Sequence, residues 1–353
     1  MSQTPPQSAV FRGLVDLASE RLGGRALATN DEFFASAGNL VKSKPAVFDP
    51  DRYDDHGKWM DGWESRRRRS PGHDWCIVRL GAPGVVRGVD VDTRHFLGNH
   101  PPYAALDGCE IVDDGSNPDG SNPAEVIPEE AWHELLPRSP LEAGQQNLYA
   151  IASDRRVTHV RLRIFPDGGV ARLRVYGEVR PDWQALAGSG PIDLAAMVHG
   201  GRAVAASDMF FSPMGNLLLP GPSTYMGDGW ETRRRRGPGH DWVILRLGRA
   251  GRLDRVTVET HHFKGNAPDR ISIDACADPG GPVDGLSAGG LAPPDVAWVE
   301  ILPSQRLDPH ASHEFESLVD PGPWSYLRIH VYPDGGISRV RVWGNPVEIG
   351  VDL

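Results

Sequence analysis

The sequence predicts an all-β protein made of two tandem β-sandwich or jelly-roll domains. Three observations predict it: a domain-sized internal repeat, period-two alternation of apolar and polar residues, and an excess of turn formers. Of 353 residues, 41 are glycine and 31 proline, with no collagen period. Such an excess marks many tight turns. At about 150 residues per domain, the length suggests two domains, each large enough to bury its own core. Hydrophobic residues at 39% and charged residues at 24% fit a soluble globular chain.

The repeat is the strongest element. DGWESRRRRSPGHDWCIVRLG, Asp61 to Gly81, recurs as DGWETRRRRGPGHDWVILRLG, Asp228 to Gly248, with 17 of 21 positions identical and an offset of 228 − 61 = 167. The same offset relates TRHFLGN (Thr93 to Asn99) to THHFKGN (Thr260 to Asn266), and FPDGGVARLRVYG (Phe165 to Gly177) to YPDGGISRVRVWG (Tyr332 to Gly344). A unit this long is a domain rather than a solenoid module. Upstream, Asp31 aligns with Asp208, an offset of 177, so the first copy carries ten extra residues before its DGWE segment. We place the first repeat at residues 1–182 and the second at 192–353, joined by a Gly/Ser/Pro linker.

Within each copy the pattern is that of strands. In VTHVRLRIF, Thr158, Val160, Leu162 and Ile164 alternate with Val157, His159, Arg161 and Arg163. In VARLRVYG, Leu173 and Val175 alternate with Arg172 and Arg174. Period-two runs on either side of Pro-Asp-Gly-Gly predict hairpin strands with one buried face, glycine supplying positive φ. The best helix signals are LVDLASERLGG near Leu14 and EEAWHELLP near Glu129.

A formal net charge of −10 argues against nucleic acid as a partner. The three cysteines, Cys76, Cys109 and Cys276, are an odd number without a CxxC pair, which predicts reduced thiols and a cytoplasmic location. The first residues lack a signal-peptide pattern, and no stretch approaches the roughly 18 apolar residues of a membrane span.

Chemistry concentrates in DGWE[ST]RRRR-x-PGHDW. Trp63, Trp75, Trp230 and Trp242 are expected to fill the sandwich. Asp61, Glu64 and His73 are the candidate catalytic groups, because carboxylates and imidazoles tuned by burial move protons near neutral pH. Four consecutive arginines cannot all face one ligand in an extended chain. Some must be solvated or paired with acids, while Arg66 or Arg233 offers a bidentate fork to a carboxylate. His95 and Asn99, with Glu231, His240, His262 and Asn266 in the second copy, complete the candidate substrate-binding set. No HExxH, CxxC, P-loop, GxSxG or GxGxxG stands in a credible context, so serine hydrolases, nucleotide enzymes and dehydrogenases are set aside. Acid–base chemistry by these groups requires no cofactor and does not exclude a divalent metal.

At these residues the sequence resembles the allantoicase family. The resemblance rests on GNLVKSKPAVFDPDRYDDHGKWMDGWESRRRR, PGHDWCIVRLG, TRHFLGN and FPDGG with their second copies, and runs from about Phe11 to Gly344. It implies two jelly-roll domains of galactose-binding-like type, a homo-oligomer, and hydrolysis of allantoate to ureidoglycolate and urea in allantoin and purine degradation. Intact urea as product implies cleavage between the central carbon and a ureido nitrogen, with an acid protonating that nitrogen and a base assisting water. A non-enzymatic carbohydrate- or small-ligand-binding double sandwich is the alternative, since this scaffold serves both purposes.

Overall fold

The computed structural model describes residues 11–111, 127–188, 190–277 and 297–347. The chain divides into two compact units, Met1–Pro181 and Asp182–Leu353.

Each unit is organised by one long strand, Asp74–Asp92 in the first and Asp241–Glu259 in the second. In the first unit, the early half of that strand lies between Arg25–Thr29 and Arg156–Phe165. The latter also pairs with Tyr103–Cys109, and that in turn with His133–Pro140. The later half lies between Arg172–Val179 and Gln146–Ala150. One strand therefore serves both layers of a sandwich, turning the corner near Gly81–Gly84, as strands that switch sheets do. A Cβ on Gly84 would stand 2.4 Å from the Glu178 carbonyl oxygen, so the corner needs a residue without one. The second unit repeats this pairing strand for strand.

The buried faces follow the predicted alternation. Val160, Leu162, Ile164, Leu173 and Val175 are fully buried, as are Leu327, Ile329, Val331, Val340 and Val342. Val157 joins the buried set instead of the polar one, because a bulge between Val157 and His159 shifts the pleat by one residue.

Four expectations change. The runs on either side of Pro-Asp-Gly-Gly do not form a hairpin; each pairs with a different half of the long strand, and Pro166–Gly169 crosses between layers. Gly168 does take positive φ, 134°. Near Leu14 the helix signal yields a two-residue strand and a 3-10 turn at Glu20–Leu22. Near Glu129 it yields a 3-10 turn, Glu129–Ala131, followed by a strand. In both places pairing along a sheet outweighs weak local propensity. Finally, Trp63 and Trp230 are wholly buried, whereas Trp75 and Trp242 lie half-buried on the opposite face of their sheet, Trp75 packing with Ile77 and Trp132.

The extra residues of the first copy lie between the 3-10 turn Ala37–Val41 and Asp61, and include a small hairpin pairing Tyr53–Asp54 with Gly57–Lys58.

Candidate active site

Glu64 is fixed by its neighbours. Trp63 is buried beside it, an interior ring of on the order of 200 Å² worth about 5 kcal/mol at 25 cal/mol per Å². Its Nε1 donates to the Asp31 carbonyl at 2.9 Å. Trp63–Glu64 pairs with Gly169–Val170. Phe96 packs so closely here that a Cβ on Gly62 or Gly169 would come within 2.7 or 2.0 Å of its ring. Phe96 anchors the loop Thr93–Asn99, which carries two predicted residues, Asn99 on Glu64 and His95 four positions earlier. Asn99 Nδ2 donates to Glu64 Oε1 at 2.6 Å. Burial raises the Glu64 carboxyl above its ordinary pKa, against the lowering effect of that hydrogen bond.

His95 has φ 73°, a left-handed conformation uncommon outside glycine. Its Nε2 meets the Ala46 carbonyl at 3.1 Å, and its ring stacks on Phe48 at 5.9 Å and 17°. A carbonyl only accepts, so Nε2 carries the proton and Nδ1 keeps a lone pair. The second repeat reproduces the set: Asn266 donates to Glu231 at 2.6 Å, and His262, φ 72°, meets the Ser223 carbonyl at 2.9 Å. It lacks a counterpart of the hairpin, and Glu231 is more deeply buried than Glu64.

Asp61 is buried and occupied. Arg172, 1% exposed, donates to Asp61 Oδ2 at 2.7 Å and to the Lys44 carbonyl at 2.9 Å, while Val47 N–H donates to Asp61 Oδ2 at 3.1 Å. Burial works to raise this carboxyl, but Arg172, Val47 and Lys42 outweigh it and hold it below the usual range. The polar-face arginine of the sequence pattern is thus an interior strut for the segment that carries Ala46 and Phe48. Arg339 and Asp228 form the same pair at 3.1 Å.

The arginine run alternates as its extended backbone requires. Arg66 reaches Asp31 at 2.7 Å and lies over the Phe33 ring; Arg68 reaches Asp74 at 2.6 Å; Arg67 and Arg69 are exposed. Arg233 on Asp208 and Arg235 on Asp241 repeat this.

Glu64 pairs with Gly169 and accepts from Asn99, whereas the cleft that His73 lines does not include Glu64; nearby, Asp167 accepts the backbone N–H of Arg68. His73 lines a cleft of about 330 Å³ with Arg68, Trp75, Glu129, Arg161 and Arg163. Burial, then the charges of Arg163, Arg161 and Arg68, hold this imidazole below its ordinary pKa despite Asp74. At the equivalent place in the second repeat, His240 Nε2 and His330 Nδ1 are 2.7 Å apart, and His330 Nε2 is 3.0 Å from Asp274 Oδ2. Arg161, Arg163, His330 and Asp274, which the structure brings near His73 and His240, are not among the residues named from sequence. Their signal was two arginines, or an arginine and a histidine, two apart on the polar face of one strand. Among the described residues no three His, Cys, Asp or Glu side chains are gathered to hold a metal ion.

Comparison with known proteins agrees along the whole chain. The family model described as "Allantoicase repeat" matches twice, over residues 15–180 and 192–347. "Probable allantoicase" of Pseudomonas aeruginosa (strain UCBPP-PA14) is 47% identical over 339 residues, 96% of this chain and 98% of that protein. "Probable allantoicase 2" of Burkholderia pseudomallei (strain K96243) is 46% identical over 341 residues, 96% of this chain and 97% of the other. The crystal structure of allantoicase from Saccharomyces cerevisiae superposes with a TM-score of 0.77 at 31% identity, covering 97% of this chain and 98% of that one.

Proposed function

Given that the chain belongs to the allantoicase family, we propose that its chemistry is carried by Glu64, Asn99 and His95 of the first repeat. The protein is a hydrolase acting on C–N bonds other than peptide bonds, and converts allantoate to ureidoglycolate and urea. In that reaction the bond between the central carbon and one ureido nitrogen breaks, the nitrogen leaves protonated as urea, and the oxygen of water ends on the central carbon.

Glu64, half-buried and with its carboxyl raised, protonates the leaving nitrogen. Asn99 orients it. His95 Nδ1 takes the proton of the attacking water. Arg66, anchored through Nε on Asp31, keeps its outer N–H groups for the substrate carboxylate. Asp61 is a positioning residue that, with Arg172, holds the Lys44–Val47 segment over the site. His73, in a cleft that does not include Glu64, takes no part in this step. The supporting observation is a Glu–Asn pair whose asparagine shares a loop with a histidine in left-handed conformation, present in both repeats. Strain of about 1–3 kcal/mol at such a residue persists where the surroundings impose it, and it concentrates at functional sites.

Glu64→Gln is the test. A positioned acid contributes about 10²–10⁴-fold, so kcat should fall within that range with the fold intact. Turnover in H₂¹⁸O should label the ureidoglycolate hydroxyl and leave urea unlabelled. A fully active variant, or label in urea, overturns the assignment.

No helix among the described residues is long and apolar enough to cross a membrane. We further propose a cytoplasmic homo-oligomer, in keeping with three buried cysteines that form no disulfide among the described residues; cell fractionation and light scattering check both points.

A further inference from the structure

We propose that the cleft between Arg68, His73 and Arg163 of the first repeat is a second binding site, separate from Glu64, for a small carboxylate. Its volume, about 330 Å³, suits a compact organic acid. The walls supply what such a ligand needs. Arg163 gives Nη2 to Asp107 at 2.8 Å, and Arg68 gives Nη1 to Asp74 at 2.6 Å. The Nε atoms of both arginines are buried without an acceptor. Buried donors are ordinarily paired, and these two guanidinium N–H groups stand ready for an acceptor; Arg235, the counterpart of Arg68, keeps an unpaired Nε too, so Arg163 is the donor peculiar to this repeat.

The guanidinium groups around the cleft are held by carboxylates at their outer ends, Arg68 by Asp74, Arg163 by Asp107, and Arg161 by Asp107 and Glu129, which fixes where their remaining N–H groups point. A neutral His73 adds a hydrogen-bonding partner that does not compete for the carboxylate, and Trp75 gives a flat apolar wall. The cleft already holds one carboxylate: Glu129, 77% exposed, grips Arg161 with both oxygens at 2.7 and 2.8 Å. An external acid would enter beside this group and feel its repulsion.

The second repeat is an internal control. Arg163 corresponds to His330 and Asp107 to Asp274, each at an offset of 167 and paired in the same register. There the histidine is hydrogen-bonded to its neighbour His240, so the donors of Arg163 have no counterpart. Arg163→His therefore introduces a side chain that this fold accommodates at the matching position.

Calorimetric titration of the full chain with ureidoacetate is the experiment. This probe has a carboxylate and one ureido arm but no second nitrogen on the central carbon to expel. Arg163→His should weaken binding at least tenfold, Glu129→Gln should tighten it several-fold, and acetate should compete. The His73 ring resonances should move on titration of the wild type. Glu64→Gln should leave the shift of the His73 resonances and their dependence on Arg163 unchanged, whatever it does to binding at the catalytic site, which separates failure of this proposal from failure of the catalytic assignment. Equal affinity in wild type and Arg163→His, or no response to Glu129→Gln, overturns the proposal.

Discussion

His240 Nε2 lies 2.7 Å from His330 Nδ1, and His330 Nε2 lies 3.0 Å from Asp274 Oδ2. Nε2 of His330 faces two groups, Asp274, which only accepts, and Arg328 Nε, which only donates, at 3.1 Å; we expect the carboxylate to hold the proton on Nε2, so that Nδ1 of His330 accepts from Nε2–H of His240 and Nδ1 of His240 keeps a lone pair. Nitrogen-15 spectra at pH 8 should show both rings as Nε2–H tautomers, and Asp274→Asn should disturb His330 before His240. An Nδ1–H signal from His330 would contradict the direction of the chain.

The same pair gives a pH dependence of stability. Burial and then the charge of His330 lower the pKa of His240 below its ordinary value of 6.5. The unfolded chain therefore takes up a proton near pH 6.5 while the folded one does not, and stability is lost as pH falls below that point. His240→Gln should shrink the drop in Tm between pH 7.5 and 5.5. An unchanged drop would remove His240 from the acid response.

Asn99 opposes the effect of burial on Glu64. In Asn99→Ala the carboxyl should rise further, so the alkaline limb of kcat, where a required acid is lost, should move to higher pH. A limb that stays in place would show that it belongs to another group.

His95→Asn should separate fold from chemistry. Asparagine tolerates the left-handed region better than most residues, so Tm should change little, while kcat should fall by about 10²-fold or more. Retained activity would dismiss the imidazole as the base.

Asp61 and Arg172 are buried partners at 2.7 Å. Breaking such a pair from one side leaves a buried charge and costs about 3–5 kcal/mol, so Asp61→Asn and Arg172→Met should each lower the urea midpoint sharply. Asp61→Asn/Arg172→Met should cost less than their sum. Strict additivity would mean that the two side chains stabilise the fold independently.

Much of the candidate site was legible in sequence because it lies in short contiguous blocks copied at a constant offset. Glu64, with His95 and Asn99 from one seven-residue block, could be named together without coordinates. The alternating fate of Arg66 to Arg69 was legible too, since extended backbone sends neighbours to opposite sides. His73 is nine positions from Glu64 in sequence, but the residues that gather around it, Arg161 and Arg163 from a distant strand, could not be read from that spacing.

By itself the sequence determined the duplication, the strand periodicity and which blocks carry polar chemistry, all of them local or repeated signals. The tertiary structure decided which blocks meet. Arg172 reaches Asp61 across 111 positions, and Arg163 reaches Asp107 across 56. Those meetings depend on strand register, on a one-residue bulge at Val157/His159 and on a long strand shared by two sheets. Register follows from the packing of the whole core, so no window of neighbouring residues contains it.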